Sequence, residues 1–213
     1  MKHQPDHPLL FLGAKVEKIH PVMDPVLKRI LLSPGQPLII TIMSEQSEVQ
    51  LRRRWKESLG NSLLQRVLVL RQQPWDIFAA IVESCRAALD TWPVGGGVNS
   101  LDALGLGVPV VTMPSKINTL RFTQAWYHHM LLSRTRASDL GHEEARALYE
   151  QLVVPDENAY IAAVQQFISP GEESFRHAFN VVGRKIKAAG KHLFEQERAV
   201  TEWSQILSAM AKT

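Results

Sequence analysis

The sequence predicts an α/β fold, a Rossmann-like parallel sheet with helices on both faces, followed by a C-terminal helical wrap. Over the first two thirds of the chain, short apolar segments alternate with segments of helical periodicity, which is typical of βαβ units. From about Gly141 the strand pattern disappears, and helical periodicity continues to Met210. We therefore expect a disordered segment over residues 1–8, a Rossmann-like domain over 9–140, and helices of 141–213 packed on the same lobe.

Five segments are predicted as strands because they are short and apolar. The segment 37–43, PLIITIM, is apolar and rich in β-branched residues, which indicates a strand buried on both faces. The predicted strands cover residues 9–13, 37–43, 66–70, 88–91 and 108–113.

The segments between these strands have apolar residues at helical spacing. Pro34 and Gly35 end the first helix, and Pro74 begins the third, which matches the preferences of proline and glycine for helix ends. The predicted helices cover residues 23–32, 45–59, 74–86, 99–106 and 118–132, and three or four more follow.

The composition is that of an ordinary globular protein, with 213 residues, 45% hydrophobic and 21% charged. These fractions exclude disorder, collagen and coiled coil as descriptions of the whole chain. There is no apolar run of about 18 residues, so no membrane span is predicted. A net charge of +3 is too small to indicate nucleic acid as a partner. Because Cys85 is the single cysteine, we expect a reducing compartment and hence a cytoplasmic protein.

A glycine-rich loop at residues 93–98 follows one predicted strand and opens a predicted helix. Ligands of open parallel sheets bind at such places. Three consecutive glycines let a ligand approach the backbone closely, and the first turn of a helix favours a phosphate. Asn99 or Ser100 could cap this helix and bind a phosphate oxygen, while Asp102 could accept the hydroxyls of a ribose.

The residues of this loop alone leave a second interpretation open. A glycine-rich loop before a helix is common in proteins that bind nothing there, and this loop is neither GxGxxG nor a Walker loop. An acid in the position of Asp102, taken alone, is more often a solvated helix residue or a partner of the helix dipole. The pattern therefore predicts a phosphate-binding loop without identifying its ligand.

A longer motif around this loop resembles a known family. Residues 89–115, LDTWPVGGGVNSLDALGLGVPVVTMPS, resemble the donor-binding signature of the tetratricopeptide-linked O-GlcNAc transferases and their bacterial relatives, which are GT-B glycosyltransferases. Residues 12–31, 66–91 and 192–207 resemble further segments of that family in order and spacing. The resemblance covers nearly the whole chain and implies a C-terminal, donor-binding GT-B domain, with residues 9–140 binding a nucleotide sugar.

The resemblance also implies roles for individual residues. Lys18 falls where the family's lysine contacts the diphosphate, and is implied as the catalytic residue that stabilises the departing UDP. Lys15 is implied as a second phosphate contact, and Asp102 matches the acid that binds the ribose. The remaining loop residues implied to bind the donor are Gly96, Gly97, Val98, Asn99 and Ser100.

At three positions the resemblance is less direct. Relatives commonly have a polar residue where Val98 stands, so one side-chain hydrogen bond to phosphate is expected to be missing. Phe78 stands where some relatives have a histidine near the base; it either stacks on uracil or packs in the core. Arg121 matches an arginine of the family and either pairs with phosphate or caps a helix end.

No metal or other cofactor is expected. His128 and His129 are adjacent and cannot share one helix face, and the DxD motif of metal-dependent glycosyltransferases is absent from the sequence. Metal-independent transfer would rely on Lys18 and on the helix dipole instead.

The implied function is the binding of a UDP-sugar, UDP-GlcNAc in the first place, by one half of a glycosyltransferase that acts on a hydroxyl of a protein or glycan. GT-B enzymes place the active site between two domains, and a second sheet is not recognisable in this sequence. We therefore expect catalysis to need an N-terminal lobe or a partner chain, and whether this chain is itself an enzyme stays open. The alternatives are a degenerate, non-catalytic nucleotide-binding or protein-interaction module and, third, a nucleotide-sugar epimerase.

Overall fold

The computed structural model describes residues 7–133, 140–169, 181–194 and 197–211. These residues form one parallel sheet of five strands in the order β3-β2-β1-β4-β5. This order, with helices between the strands, is that of a doubly wound sheet and confirms the predicted α/β, Rossmann-like fold. The strands are β1 Leu9–Phe11, β2 Leu38–Ile42, β3 Val67–Leu70, β4 Ala87–Leu89 and β5 Val110–Val111.

The helices of the described residues alternate with the strands and then follow one another. Helices α1 to α5 are Asp24–Leu31, Glu45–Ser58, Asn61–Leu64, Trp75–Ser84 and Val98–Gly105. Helices α6 to α10 are Phe122–Tyr127, His142–Leu152, Glu157–Ile168, Gly183–Phe194 and Glu197–Met210. Single 3-10 turns lie at Val16–Lys18, Pro21–Met23 and Asn118–Leu120, and a π-helical turn at His128–Leu132 follows α6.

The centre of the sheet is buried on both faces. Strand β1 pairs with β2 on one side and with β4 on the other, so that Phe11 lies beside both Ile40 and Ala88. Phe11 and Ala88 are at most 3% exposed, and Ile40 is 6% exposed. The apolar runs predicted as strands thus form the core, and the loops after β1 and β4 become neighbours at one edge.

A buried carboxylate connects the first two helices. Asp24 is 3% exposed and accepts two hydrogen bonds from the Arg54 guanidinium, at 2.9 and 3.0 Å. It also accepts one from the indole N–H of Trp55 at 2.9 Å. These hydrogen bonds hold α1 against α2. Removing Arg54 would be costly, because it would leave the buried charge of Asp24 without compensation.

The C-terminal segments pack against the sheet and contribute a small extension to it. Thr112 forms a parallel bridge with Val153, which the sequence did not predict because a single residue carries no alternation pattern. Helix α8 packs against α1, and α9 packs against α5. The expected boundary between residues 9–140 and 141–213 stays a prediction, and residues 1–6 of the expected N-terminal segment lie outside the described residues.

The predicted helix over residues 118–132 is divided into three pieces. A 3-10 turn ends at Arg121, whose backbone angles (φ −91°, ψ 45°) are not helical, and α6 begins after it. The Arg121 side chain donates to the carbonyl groups of Ser115 and Lys116, at 2.5 and 3.3 Å. These contacts to the preceding loop hold the chain in a turn that helical periodicity cannot reveal.

Helix α10 presents an apolar stripe to solvent. The large apolar side chains of this helix are all at least half exposed: Val200, Trp203, Ile206, Leu207 and Met210. In the part of the chain that the structure describes, no helix is both long and apolar enough to cross a membrane.

Candidate functional site

A cleft of about 600 Å³ lies at the carboxyl edge of the sheet. Residues from the first turns of α2, α4 and α5 line it, so three positive helix ends surround the same space. This is the crevice where open parallel sheets bind ligands. The lining residues are Lys15, Val16, Glu17, Ile42, Met43, Ser44, Ser47, Gln72, Gln73, Trp75, Phe78, Asn99 and Asp102.

The glycine loop beside this cleft has a conformation that needs glycine. Gly97 has a φ of +81° and precedes the first residue of α5. At Gly96, a β-carbon would overlap the hydroxyl of Ser100 and lie 3.0 Å from a carboxylate oxygen of Asp90. Both positions let the backbone fold tightly before α5, whose first N–H groups have no partner within the helix.

The side chain of Lys18 reaches this loop from the turn after β1. Its Nζ donates to the carbonyl groups of Gly95 and Gly96, at 3.0 and 2.9 Å. The same atom lies 5.8 Å from the ring centre of Phe122 and would be 3.1 Å from a β-carbon on Gly97. A positive charge therefore lies at the N-terminal end of α5, where the resemblance implies a diphosphate contact.

Asp90 is a central residue of the loop that the sequence analysis did not single out. It follows β4, is 2% exposed, and its Oδ1 accepts hydrogen bonds from the N–H groups of Gly96 and Thr91, at 2.5 and 3.1 Å. The hydroxyl of Ser100 donates to the same oxygen at 3.4 Å, and that of Thr112 to Oδ2 at 2.7 Å. Burial raises the pKa of the Asp90 carboxyl, and the hydrogen bonds from Thr112 and Gly96 oppose this change. The sequence signal that could have pointed to Asp90 was an acidic residue between an apolar strand and a glycine-rich loop.

Asp102 lies within the cleft, together with Asn99 of the preceding turn of α5 and the exposed Lys15. Partial burial raises the pKa of the Asp102 carboxyl above its ordinary value. Together with Phe78, four of the residues singled out in the sequence therefore line one cavity, and a carboxylate and an ammonium group are among the groups that line it.

Two aromatic side chains line the opposite part of the cleft. Phe78 contacts Phe11 edge-on, with ring centres 5.8 Å apart, and stacks on Trp75 at 5.6 Å. Phe78 therefore packs against the core and also lines the cleft, while its stacking on uracil stays a prediction. Trp75 is 61% exposed and was not singled out in the sequence. A tryptophan directly after Pro74, at the start of a predicted helix, was the signal that could have indicated a place in the ligand cleft.

Six of the residues predicted to contact the donor are not among those that line the cleft: Lys18, Gly96, Gly97, Val98, Ser100 and Arg121. Ser100 is buried and bonded to Asp90, while Val98 is 70% exposed. Arg121 donates to the carbonyl groups of Ser115 and Lys116, which lie in the loop before the 3-10 turn and not at a helix end. Within residues 7–133, 140–169, 181–194 and 197–211, no three His, Cys, Asp or Glu side chains are grouped so that they could hold a metal ion.

Comparisons with known proteins support the fold through structure. No family model and no curated protein sequence matches the chain. Among solved structures, a mutant of the Thermobaculum terrenum O-GlcNAc transferase aligns with 92% of this chain and 36% of its own, at a TM-score of 0.65 and 22% identity. A sucrose-phosphate synthase from Thermosynechococcus elongatus aligns with 98% of this chain and 47% of its own, at a TM-score of 0.62 and 15% identity.

A third similar structure is a mutant of S. aureus TarM in complex with fondaparinux, alpha-GlcNAc-glycerol and UDP. It aligns with 96% of this chain and 36% of its own, at a TM-score of 0.62 and 9% identity. This chain thus spans less than half the length of each of the three structures, and identities this low establish likeness of fold alone. The chain accordingly has the fold of the C-terminal domain of a GT-B glycosyltransferase.

Proposed function

We propose that this chain binds a UDP-sugar, with UDP-GlcNAc as the first candidate, as the donor half of a metal-independent glycosyltransferase. The observation that carries the proposal is the position of the Lys18 ammonium, bonded to the carbonyl groups of Gly95 and Gly96 beside the N-terminus of α5. A fixed positive charge and a positive helix end favour the same ligand group, a diphosphate.

In the proposed reaction, the bond between the sugar and the diphosphate breaks and UDP leaves with additional negative charge. Lys18 would stabilise that charge, together with the N–H groups of the first turn of α5 and, as a second cation, Lys15. A cation that is already held in place by the loop costs little reorganisation during the reaction. This arrangement needs no divalent ion.

The rest of the cleft suits a nucleoside. Asp102 has a carboxylate that could accept both hydroxyls of a ribose, while the exposed face of Trp75 offers a stacking surface for a base. The carboxamides of Gln72 and Gln73 lie in the same cleft and carry both donors and acceptors for the edge of the base. UDP is also present in one of the structures with a similar fold.

Sugar transfer would also need an acceptor surface. Because the chain aligns with 36% to 47% of the similar structures, we propose that a second lobe, on the same polypeptide or on a partner chain, supplies that surface and a protein or glycan hydroxyl as acceptor. The compartment we propose is the cytoplasm, because Cys85 is a buried free thiol.

Isothermal titration calorimetry with UDP and with GDP tests the donor assignment. We expect the wild-type chain to bind UDP, to bind GDP more weakly, and to lose UDP affinity in Asp102→Asn. Asp76→Asn is the matched control, because Asp76 is an exposed acid in the first turn of α4 that does not line the cleft. Equal affinities for UDP and GDP would exclude the uridine assignment. No heat with either nucleotide would favour the alternative, a non-catalytic interaction module.

A further inference from the structure

We infer that Asp90 is a positioning residue, which fixes the glycine loop and thereby places Lys18 and the N-terminus of α5 for the donor. The inference rests on the proposed function for its ligand, but its geometric basis is independent of it. Asp90 is 2% exposed, so it would act through the loop rather than by touching the donor.

The first step is the contact between the carboxylate and the loop. Asp90 Oδ1 accepts the Gly96 N–H at 2.5 Å, while the carbonyl of the same glycine accepts Lys18 Nζ at 2.9 Å. Gly96 is thus held between an acid on one side and a cation on the other. A shift of Gly96 away from Asp90 would move the carbonyl that holds the Lys18 ammonium.

The second step is the contact between the same carboxylate and the helix. The Ser100 hydroxyl, in the first turn of α5, donates to Asp90 Oδ1. One oxygen atom therefore holds both the loop and the helix that follows it. The relative placement of Lys18 and the N–H groups of α5 depends on this shared acceptor.

The third step is the rigidity of Asp90 itself. Its Oδ2 accepts the Thr112 hydroxyl at 2.7 Å, and its backbone carbonyl accepts the Tyr160 hydroxyl at 2.9 Å. Thr112 follows β5 and Tyr160 belongs to α8, so two other elements of the fold fix the acid in place. Because these contacts fix Asp90, its carboxylate can hold the glycine loop in one position. Precise placement of binding groups requires such support.

Asp90→Asn is the first variant, because an amide keeps the size of the side chain but turns one acceptor oxygen into a donor group. Asp90→Ala is the decisive variant, because it removes both acceptor oxygens, whereas the amide oxygen of an asparagine can still accept the Gly96 N–H. Asp24→Asn is the matched control, since Asp24 is also a buried acceptor of several hydrogen bonds and is not among the residues that line the cleft. All three variants are expected to lose stability. Under conditions in which all three are fully folded, only Asp90→Asn and Asp90→Ala are expected to lose UDP affinity, by at least about tenfold.

Hydrogen exchange at the Gly96 amide gives a readout that needs no ligand. We expect this amide to be protected in the wild-type chain and in Asp24→Asn, and to exchange faster in Asp90→Ala. Should Asp90→Ala fail to fold, Thr112→Val gives a milder test, because it removes the hydroxyl that donates to Asp90 Oδ2 and leaves the loop itself unchanged.

The outcomes separate the two proposals. If the wild-type chain binds no UDP, the proposed function fails, and exchange at Gly96 still decides the positioning role. Unchanged Gly96 exchange in Asp90→Ala would overturn the inference. An equal loss of UDP affinity in Asp24→Asn would overturn it as well, because the effect would then follow from lost stability alone.

Discussion

The ammonium group of Lys18 lies 2.9 Å from the backbone carbonyl oxygen of Gly96, although 78 residues separate them in the sequence. The contact joins the turn after β1 to the loop after β4. These loops meet because β1 and β4 are paired neighbours in the sheet. The proposed diphosphate site is therefore a consequence of strand order, and the predictions below test its parts one by one.

The first prediction concerns the charge of Lys18. Lys18→Met keeps most of the length of the side chain and removes its charge, so UDP affinity should fall by about tenfold to a hundredfold, as expected for a charge-assisted hydrogen bond. Calorimetry measures the change, with Lys56→Met as the control because Lys56 is exposed in the last turn of α2. An affinity for UDP that is equal in both variants would remove Lys18 from the site.

The second prediction is a pH dependence that originates in Asp102. Its carboxyl has a raised pKa, and only the ionised form can accept both ribose hydroxyls. Affinity for UDP-GlcNAc should therefore be constant near neutrality and fall as the pH is lowered through that raised pKa, beginning above the ordinary value of 3.8. Both phosphates of this ligand are esterified and stay ionised over the same range.

Titrations of the wild-type chain and of Asp102→Asn from about pH 7 to about pH 4.5 would measure this effect. The variant should bind more weakly at neutral pH and lose the dependence on pH that Asp102 causes. A fall in affinity of the same size in Asp102→Asn would assign the titration to another group.

The third prediction concerns Trp75 as a stacking surface. Trp75→Ala should weaken UDP binding by about 1–3 kcal/mol, the range for one base on one aromatic ring, and leave the binding of inorganic pyrophosphate unchanged. Trp203→Ala is a closely matched control, since the two tryptophans are 61% and 63% exposed. A parallel loss of UDP and pyrophosphate affinity in Trp75→Ala would instead indicate a displaced helix α4.

The fourth prediction concerns the edge strand of the sheet. The Tyr127 hydroxyl accepts the Val110 N–H at 2.8 Å and donates to the Val110 carbonyl at 2.9 Å, in place of a sixth strand. Burial is also the main cause that raises the pKa of this hydroxyl. Tyr127→Phe leaves both backbone groups without this partner, and should lower the free energy of unfolding by about 2 kcal/mol or more.

Urea unfolding measures that loss, and Tyr149→Phe serves as the control. Tyr149 is only partly buried and accepts one hydrogen bond from Gln124 at 3.1 Å, so its loss should cost less than about 1 kcal/mol. Equal destabilisation by the two variants would mean that the Val110 contacts do not support the edge.

Several features of the fold could be predicted from local patterns. The alternation of apolar and helical segments predicted all five strands, because a strand buried on both faces must be apolar along its length. The glycine loop before α5 was recognisable for a similar reason, since three consecutive glycines predict a close backbone turn wherever they lie. Asp102 and Asn99 follow within one or two helical turns, so their approach to the cleft could also be predicted.

The amino-acid sequence by itself thus determined the type and order of the elements, the glycine loop and the resemblance that suggested a donor. The tertiary structure decided that Asp90 holds that loop, that Trp75 borders the cleft, and that Arg121 contacts the loop before α6. The physical reason is the separation along the chain between the residues that make these contacts. Local patterns reflect backbone propensity and burial, whereas these contacts depend on which strands become neighbours and where each side chain points once the sheet has formed.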